Sequence, residues 1–141
     1  MPTHDRTSGE AAAQVLALLV AANGHVDDDE LAALERLDAF TRVGVSRGRF
    51  VELAQRSIDE VGSGLHENSW LRSSDLAYVD RLLDAVPDEP TRLLVCRLCA
   101  AVITADGRVS RDERMVYNHA LARWHINPQQ VSEAIRRDPL H

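Results

Sequence analysis

Apolar residues recur along this chain at intervals of three and four, and no stretch shows the strict alternation of a half-buried strand. The run from Ala11 to Ala22 is apolar on nearly every side, which predicts a helix with no solvent face. Leu31, Leu34, Leu37 and Phe40 form one helical stripe; Phe50, Leu53, Ala54, Ile58 and Val61 form another. "GSGLHENSW", Gly62 to Trp70, interrupts the pattern and is predicted as the longest loop. Leu76, Val79, Leu83 and Val86 start a further stripe that closes at Pro87 and Pro90. Thr91 to Ala105 is again apolar almost all round, with Arg92 and Arg97 as the exceptions. Helices over 111–124 and 128–137 complete the pattern. The last opens with Asn127 as N-cap, Pro128 at the first helical position and Gln130 three residues after the cap.

The expectation is therefore an all-α single domain of about seven helices over residues 9–141, preceded by a disordered tail over 1–8. The two helices without a polar face should lie at the centre, with the others packed round them. Each runs into the same short pattern. "AANGHVDDDE", Ala21 to Glu30, and "TADGRVSRDE", Thr104 to Glu113, share Gly-x-Val-x-x-x-Glu with their glycines 83 positions apart. This reads as an internal repeat of helix–turn–helix units, Ala11–Glu35 corresponding to Leu94–Asn118. The two units are expected to face each other across a pseudo-twofold axis, with helices 49–62 and 73–86 between them.

The repeated pattern has a purely structural explanation. Gly24 and Gly107 stand where a helix ends, a position that favours the left-handed conformation glycine tolerates. Asp27-x-x-Glu30 and Ser110-x-x-Glu113 fit the capping box, and Val26 and Val109 would staple each turn to the core. An EF-hand is rejected. With Gly at loop position 6, the ligand positions 1 and 3 fall on Leu19 and Ala21, then on Val102 and Thr104. Three of these four side chains carry no oxygen. A third arrangement stands open: Asp106, Glu113, Glu30 and Asn23, from equivalent turns, converging on one hard divalent cation, Ca²⁺ or Mg²⁺, with water completing the shell.

Composition narrows the partners. A formal charge of −6 over 141 residues argues against a nucleic-acid partner, which demands a basic face, and suits a cation or a basic protein surface. The start of the chain lacks the basic and apolar regions of a signal peptide, and no apolar stretch reaches the roughly 20 residues of a membrane span. A cytoplasmic protein is expected, with reduced thiols.

Two copies of the Asp-Gly-x-Val-x-x-x-Glu pattern, each following an apolar helix, resemble the tellurite-resistance TerB family and its TerB-like relatives. The second copy matches that signature closely; the first has Asn23 in place of Asp. The resemblance spans roughly residues 9–137. It implies an all-helical fold whose two motifs form an acidic cation-binding surface, and a stress-response or scaffolding role with protein partners rather than catalysis. Carried over, Asp106, Glu113 and Glu30 are the candidate metal ligands, and Asn23 removes one formal charge from the set.

Other chemistry is thinner. Cys96 and Cys99 form a single C-x-x-C in the middle of an apolar helix, expected to pack in the core, since structural zinc takes four ligands. The six histidines do not cluster; His119 and His125 are expected at the surface or as satisfied partners. His4-Asp5 sits in the tail without companions, and Trp70 is expected to act as a lid over the core or as an exposed anchor. An enzyme using Asp106 and Glu113 as acid and base on a metal-activated water is the competing class. It lacks a nucleophile–base pair, a phosphate-cradling glycine loop and a metal-ligating histidine pair.

Overall fold

A computed structural model describes residues 2–21, 28–61, 73–105 and 111–137. Side chains within 2–9, 60–61, 73–76, 103–105 and 111–113 are not described. Among the described residues the elements are eight helices: α1 (Pro2–Val20), α2 (Asp28–Arg36), α3 (Ala39–Arg42), α4 (Arg47–Val61), α5 (Ser73–Asp84), α6 (Glu89–Ala105), α7 (Arg111–Trp124) and α8 (Pro128–Arg137). The all-α class is as the periodicity predicts. α1 starts at Pro2 and so takes in most of the stretch expected as a tail. A proline in the first turn suits a helix start, because its missing N–H has no intrahelical acceptor there.

One predicted helix divides. The stripe from Leu31 to Phe40 is carried by α2 and α3, parted at Asp38, whose φ of 59° lies in the left-handed region. Nothing in Leu37-Asp38-Ala39 announces a break, since neither Gly nor Pro is present. A short polar side chain such as Asp is among the few that enter this conformation at modest cost.

Helix starts are fixed by side-chain oxygens. Ser46 Oγ accepts from Arg49 N at 3.1 Å. Asp88 Oδ2 accepts from Thr91 N at 3.1 Å and from the Thr91 hydroxyl at 2.6 Å. Asn127 Oδ1 accepts from Gln129 N at 2.8 Å, while Asn127 N donates to Gln130 Oε1 at 2.7 Å. The reciprocal box expected at Asn127 is present.

The core centres on α1, where every residue from Ala12 to Ala21 is buried. α4 lies along α1 in the same direction, Arg49 gripping Glu10 at 3.0 Å and Gln14 Nε2 donating to Leu53 O at 3.1 Å and Ser57 Oγ at 3.0 Å. Ser57 Oγ in turn lies 3.3 Å from the Tyr78 hydroxyl on α5. The buried amide thus has both of its partners supplied by α4, as burial of a polar group demands, and Ser57 extends the network to α5. α5 lies across α1 and α7. It runs parallel to α7, with Asp80 facing His119 at 2.6 Å and Asp84 gripped by Arg123 at 2.8 and 3.0 Å.

α6 differs from its expected twin. It packs against α1, α2, α7 and α8, and buries Val95, Cys96, Leu98, Cys99 and Val102. Leu93, Leu94, Arg97, Ala100 and Ala101 are only half-buried, so α6 keeps one side less covered than α1 does. Both helices expected at the centre have other helices packed round them, α1 being the more fully enclosed. α1 is covered by α4 and also by α5.

Candidate functional site

The four candidate ligands are unevenly placed. Glu30 belongs to the first turn of α2 and is 3% exposed, a carboxylate taken almost wholly from water. Its neighbours Asp28 and Asp29 are exposed. Glu113 belongs to the first turn of α7, but its side chain is not described. Asn23 and Asp106 lie outside the described residues, as do Gly24, Val26, Asp27, Gly107, Val109 and Ser110. The positive φ expected at the two motif glycines falls outside the described residues with them.

Sequence reasoning singled out Glu30 for its spacing but not for its burial. An ionised carboxylate leaves water only when donors or a positive charge replace its hydration. A capping Glu meets that need through backbone N–H groups at the helix start, and a cation meets it directly. Three acidic residues in the opening turn of α2 also face the positive end of the helix dipole.

Around the two turns the packing is reciprocal. α2 begins at Asp28 and α7 at Arg111, 83 positions apart like the motif glycines. α2 packs against α6, and α7 packs against α1. α1 and α6 pack against each other. α4 lies on α1 as α8 lies on α6.

A second junction recurs, one that the sequence pattern did not reveal. After α3, Gly44 has φ 76°, and Val45 N donates to Phe40 O at 3.0 Å. After α7, His125 has φ 56°, and Ile126 N donates to Leu121 O at 2.9 Å. Both are left-handed helix ends with the long-range bond of a Schellman turn, followed by a buried or half-buried apolar residue. In each an N-cap comes next, Ser46 and Asn127. Gly44 and His125 are 81 positions apart, two fewer than the motif glycines. The span from Asp28 to Gly44 is two residues longer than that from Arg111 to His125, and α2 gives way to α3 at Asp38 within it, whereas α7 is continuous. The sequence signal was faint, because His stands where Gly would be looked for.

The remaining candidates have structural explanations. Cys96 and Cys99 are free and buried. Burial pushes the Cys96 thiol up to about 12, so it stays protonated and unreactive near neutrality. Tyr117 is likewise pushed up to about 12, by burial first and then by the two thiols nearby. His119 has Asp80 as its partner and His125 is exposed at the end of α7. Trp70 is outside the described residues, whereas Trp124 is packed into the core. It is 6% exposed, donates Nε1–H to Leu83 O at 3.0 Å and lies under the Arg92 guanidinium.

Among the described residues no three His, Cys, Asp or Glu side chains are gathered as for a metal ion. Nor is any helix among them long and apolar enough to cross a membrane. No family model, curated protein or solved structure matches the chain.

Proposed function

We propose that this is a non-enzymatic protein of the TerB-like type, a cation-binding adaptor whose two Gly-x-Val-x-x-x-Glu turns form one acidic patch. Asp106, Glu113 and Glu30, helped by Asn23, would hold a divalent cation there, Ca²⁺ or Mg²⁺, through oxygen ligands and water. The burial of Glu30 at 3% exposure carries the reading, because a carboxylate taken from water needs compensating donors or positive charge, and a shared divalent cation would supply the charge. The reciprocal packing of α2 on α6 and α7 on α1 supports it. So does the recurrence of the Schellman junction, which favours reading the chain as two related units about a pseudo-twofold axis. The free thiols suit a reducing compartment such as the cytoplasm. A role in stress response of the tellurite-resistance kind follows from the resemblance alone. Tellurite itself, an oxyanion, would be repelled by such a patch.

One observation favours the competing account, a scaffold whose motifs are caps only. This chain does use the reciprocal capping box, at Asn127 and Gln130. Glu113→Gln separates the two readings, since Gln still caps but is a poor metal ligand. Under the cation reading, millimolar Ca²⁺ or Mg²⁺ raises the melting temperature of the native protein and not of the variant, with metal-free melting nearly unchanged. Equal behaviour of the two proteins in metal leaves the motifs as caps.

A further inference from the structure

We propose that His119 and Asp80 form a proton-controlled clasp, which tightens the hold of α7 on α5 when the imidazole is protonated. The inference stands apart from the cation and from the two-unit reading of the chain. His119 Nε2 lies 2.6 Å from Asp80 Oδ1, and the two side chains are 31% and 29% exposed. They are open enough to exchange protons with solvent, yet withdrawn enough that water does not fully screen a charge between them. An ionised carboxylate only accepts, so Nε2 carries its proton in the neutral imidazole and in the imidazolium alike. The second proton goes to Nδ1. It adds a positive charge beside Asp80 without disturbing the bond already made, and the charge-assisted bond is the stronger kind.

The surroundings leave this pair as the part of the joint that responds to protons near neutrality. From α5, Asp84 is gripped by Arg123 at 2.8 and 3.0 Å, and carboxylate and guanidinium both keep their charges across the histidine range. Arg81 lies instead over the Tyr78 ring. On α7 itself, Arg123 stands one turn beyond His119 and comes only to 3.6 Å of Asp80. Its bonds to Asp84 offset the repulsion it exerts on an imidazolium. From α6, Arg92 is committed to Val86 O at 2.8 Å and to the Trp124 ring. The thiols of Cys96 and Cys99 act on Tyr117, two positions from His119 and so on nearly the opposite side of α7. α1 brings no ionisable side chain between Ala12 and Ala21. Asp84 and Arg123 therefore hold α5 in either state. The clasp adds to that hold on the acid side of the histidine range and fades as pH rises through it.

A double-mutant cycle tests the clasp. The native chain, His119→Gln, Asp80→Asn and the double variant are unfolded by denaturant in chelator at about pH 5.5 and about pH 8, toward the two ends of the histidine range. Gln still donates a hydrogen bond but takes no charge. The coupling between the two positions, read as a factor in the unfolding constant, should be roughly threefold larger at the acid pH. In the folded protein, the midpoint of the His119 titration followed by NMR should fall by about half a pH unit in Asp80→Asn, a reading that needs no unfolding. Equal coupling at the two pH values, or a His119 midpoint that Asp80→Asn leaves in place, overturns the clasp and leaves the pair a hydrogen bond indifferent to protonation. Neither reading depends on whether the protein binds a cation.

Discussion

Gly44 and Gly48 lie four residues apart and illustrate opposite demands on the same residue type. Gly44 ends α3 at φ 76°, where an added Cβ strains the backbone although the space around it is open. Gly48 lies in the first turn of α4 with open space and no such φ. Gly44→Ala should therefore destabilise by about 1 kcal/mol, and Gly48→Ala should stabilise by roughly 0.5 to 1 kcal/mol. Chemical denaturation of the two variants checks the signs; a loss at both positions would contradict the assignment at Gly48. Carboxylates set the acid side of stability. The Arg49 hydrogen bond lowers Glu10, the Arg123 hydrogen bond lowers Asp84, and the Thr91 hydroxyl lowers Asp88, each below its ordinary value. Groups with folded values below their unfolded ones stabilise the fold above the unfolded value, and that contribution fades as pH falls through the folded one. Melting temperature should thus decline as pH drops below about 4, the ordinary carboxylate range. Asp88→Asn should keep the cap but flatten part of that decline. An unchanged acid slope would mean that the Asp88 bond contributes nothing. Residue signals of this kind were legible where the chemistry is local: Asn127-Pro128-x-Gln130 announced its cap. His125 and Asp38 did not announce their left-handed backbones, because composition only mildly favours such residues there.

Helices were legible because burial imposes a 3.6-residue period, and the starts of α4, α6 and α8 fall at oxygen-bearing caps. What periodicity did not reveal was the division of α2 from α3. The apolar stripe continues across Asp38 even though the backbone does not. Nor did it distinguish α1 from α6, which look alike as sequences. Their difference lies in which helices cover them, and cover is a tertiary matter. α5 covers α1 and also packs on α7, and the α5–α7 joint can be tested at Trp124, whose ring is buried and whose Nε1–H is used by Leu83 O. Trp124→Ala should cost roughly 3 to 5 kcal/mol, and Trp124→Phe clearly less, since most of the packed ring is kept. Denaturant titrations of the two variants provide the comparison. Equal losses would assign the cost to the hydrogen bond rather than to packing.

For the molecule as a whole, the fold class was readable from the pattern of positions; of the four candidate ligands, the structure describes the side chain of Glu30 alone. The spacing of the two motifs selected Glu30, and its burial is what the structure adds. Burial was not readable from sequence, because Asp28, Asp29 and Glu30 look equivalent there while the first two are exposed. The proposed function turns on whether this buried carboxylate and its counterparts in the other turn share one divalent cation. Calorimetric titration of chelator-stripped protein with Ca²⁺ and with Mg²⁺ tests it most directly, with Glu30→Gln and Glu113→Gln run alongside. Saturable heat near one ion per chain is expected in the native protein, lost in either variant. Absence of heat in the native protein, together with a melting temperature that millimolar metal does not move, would contradict a shared cation.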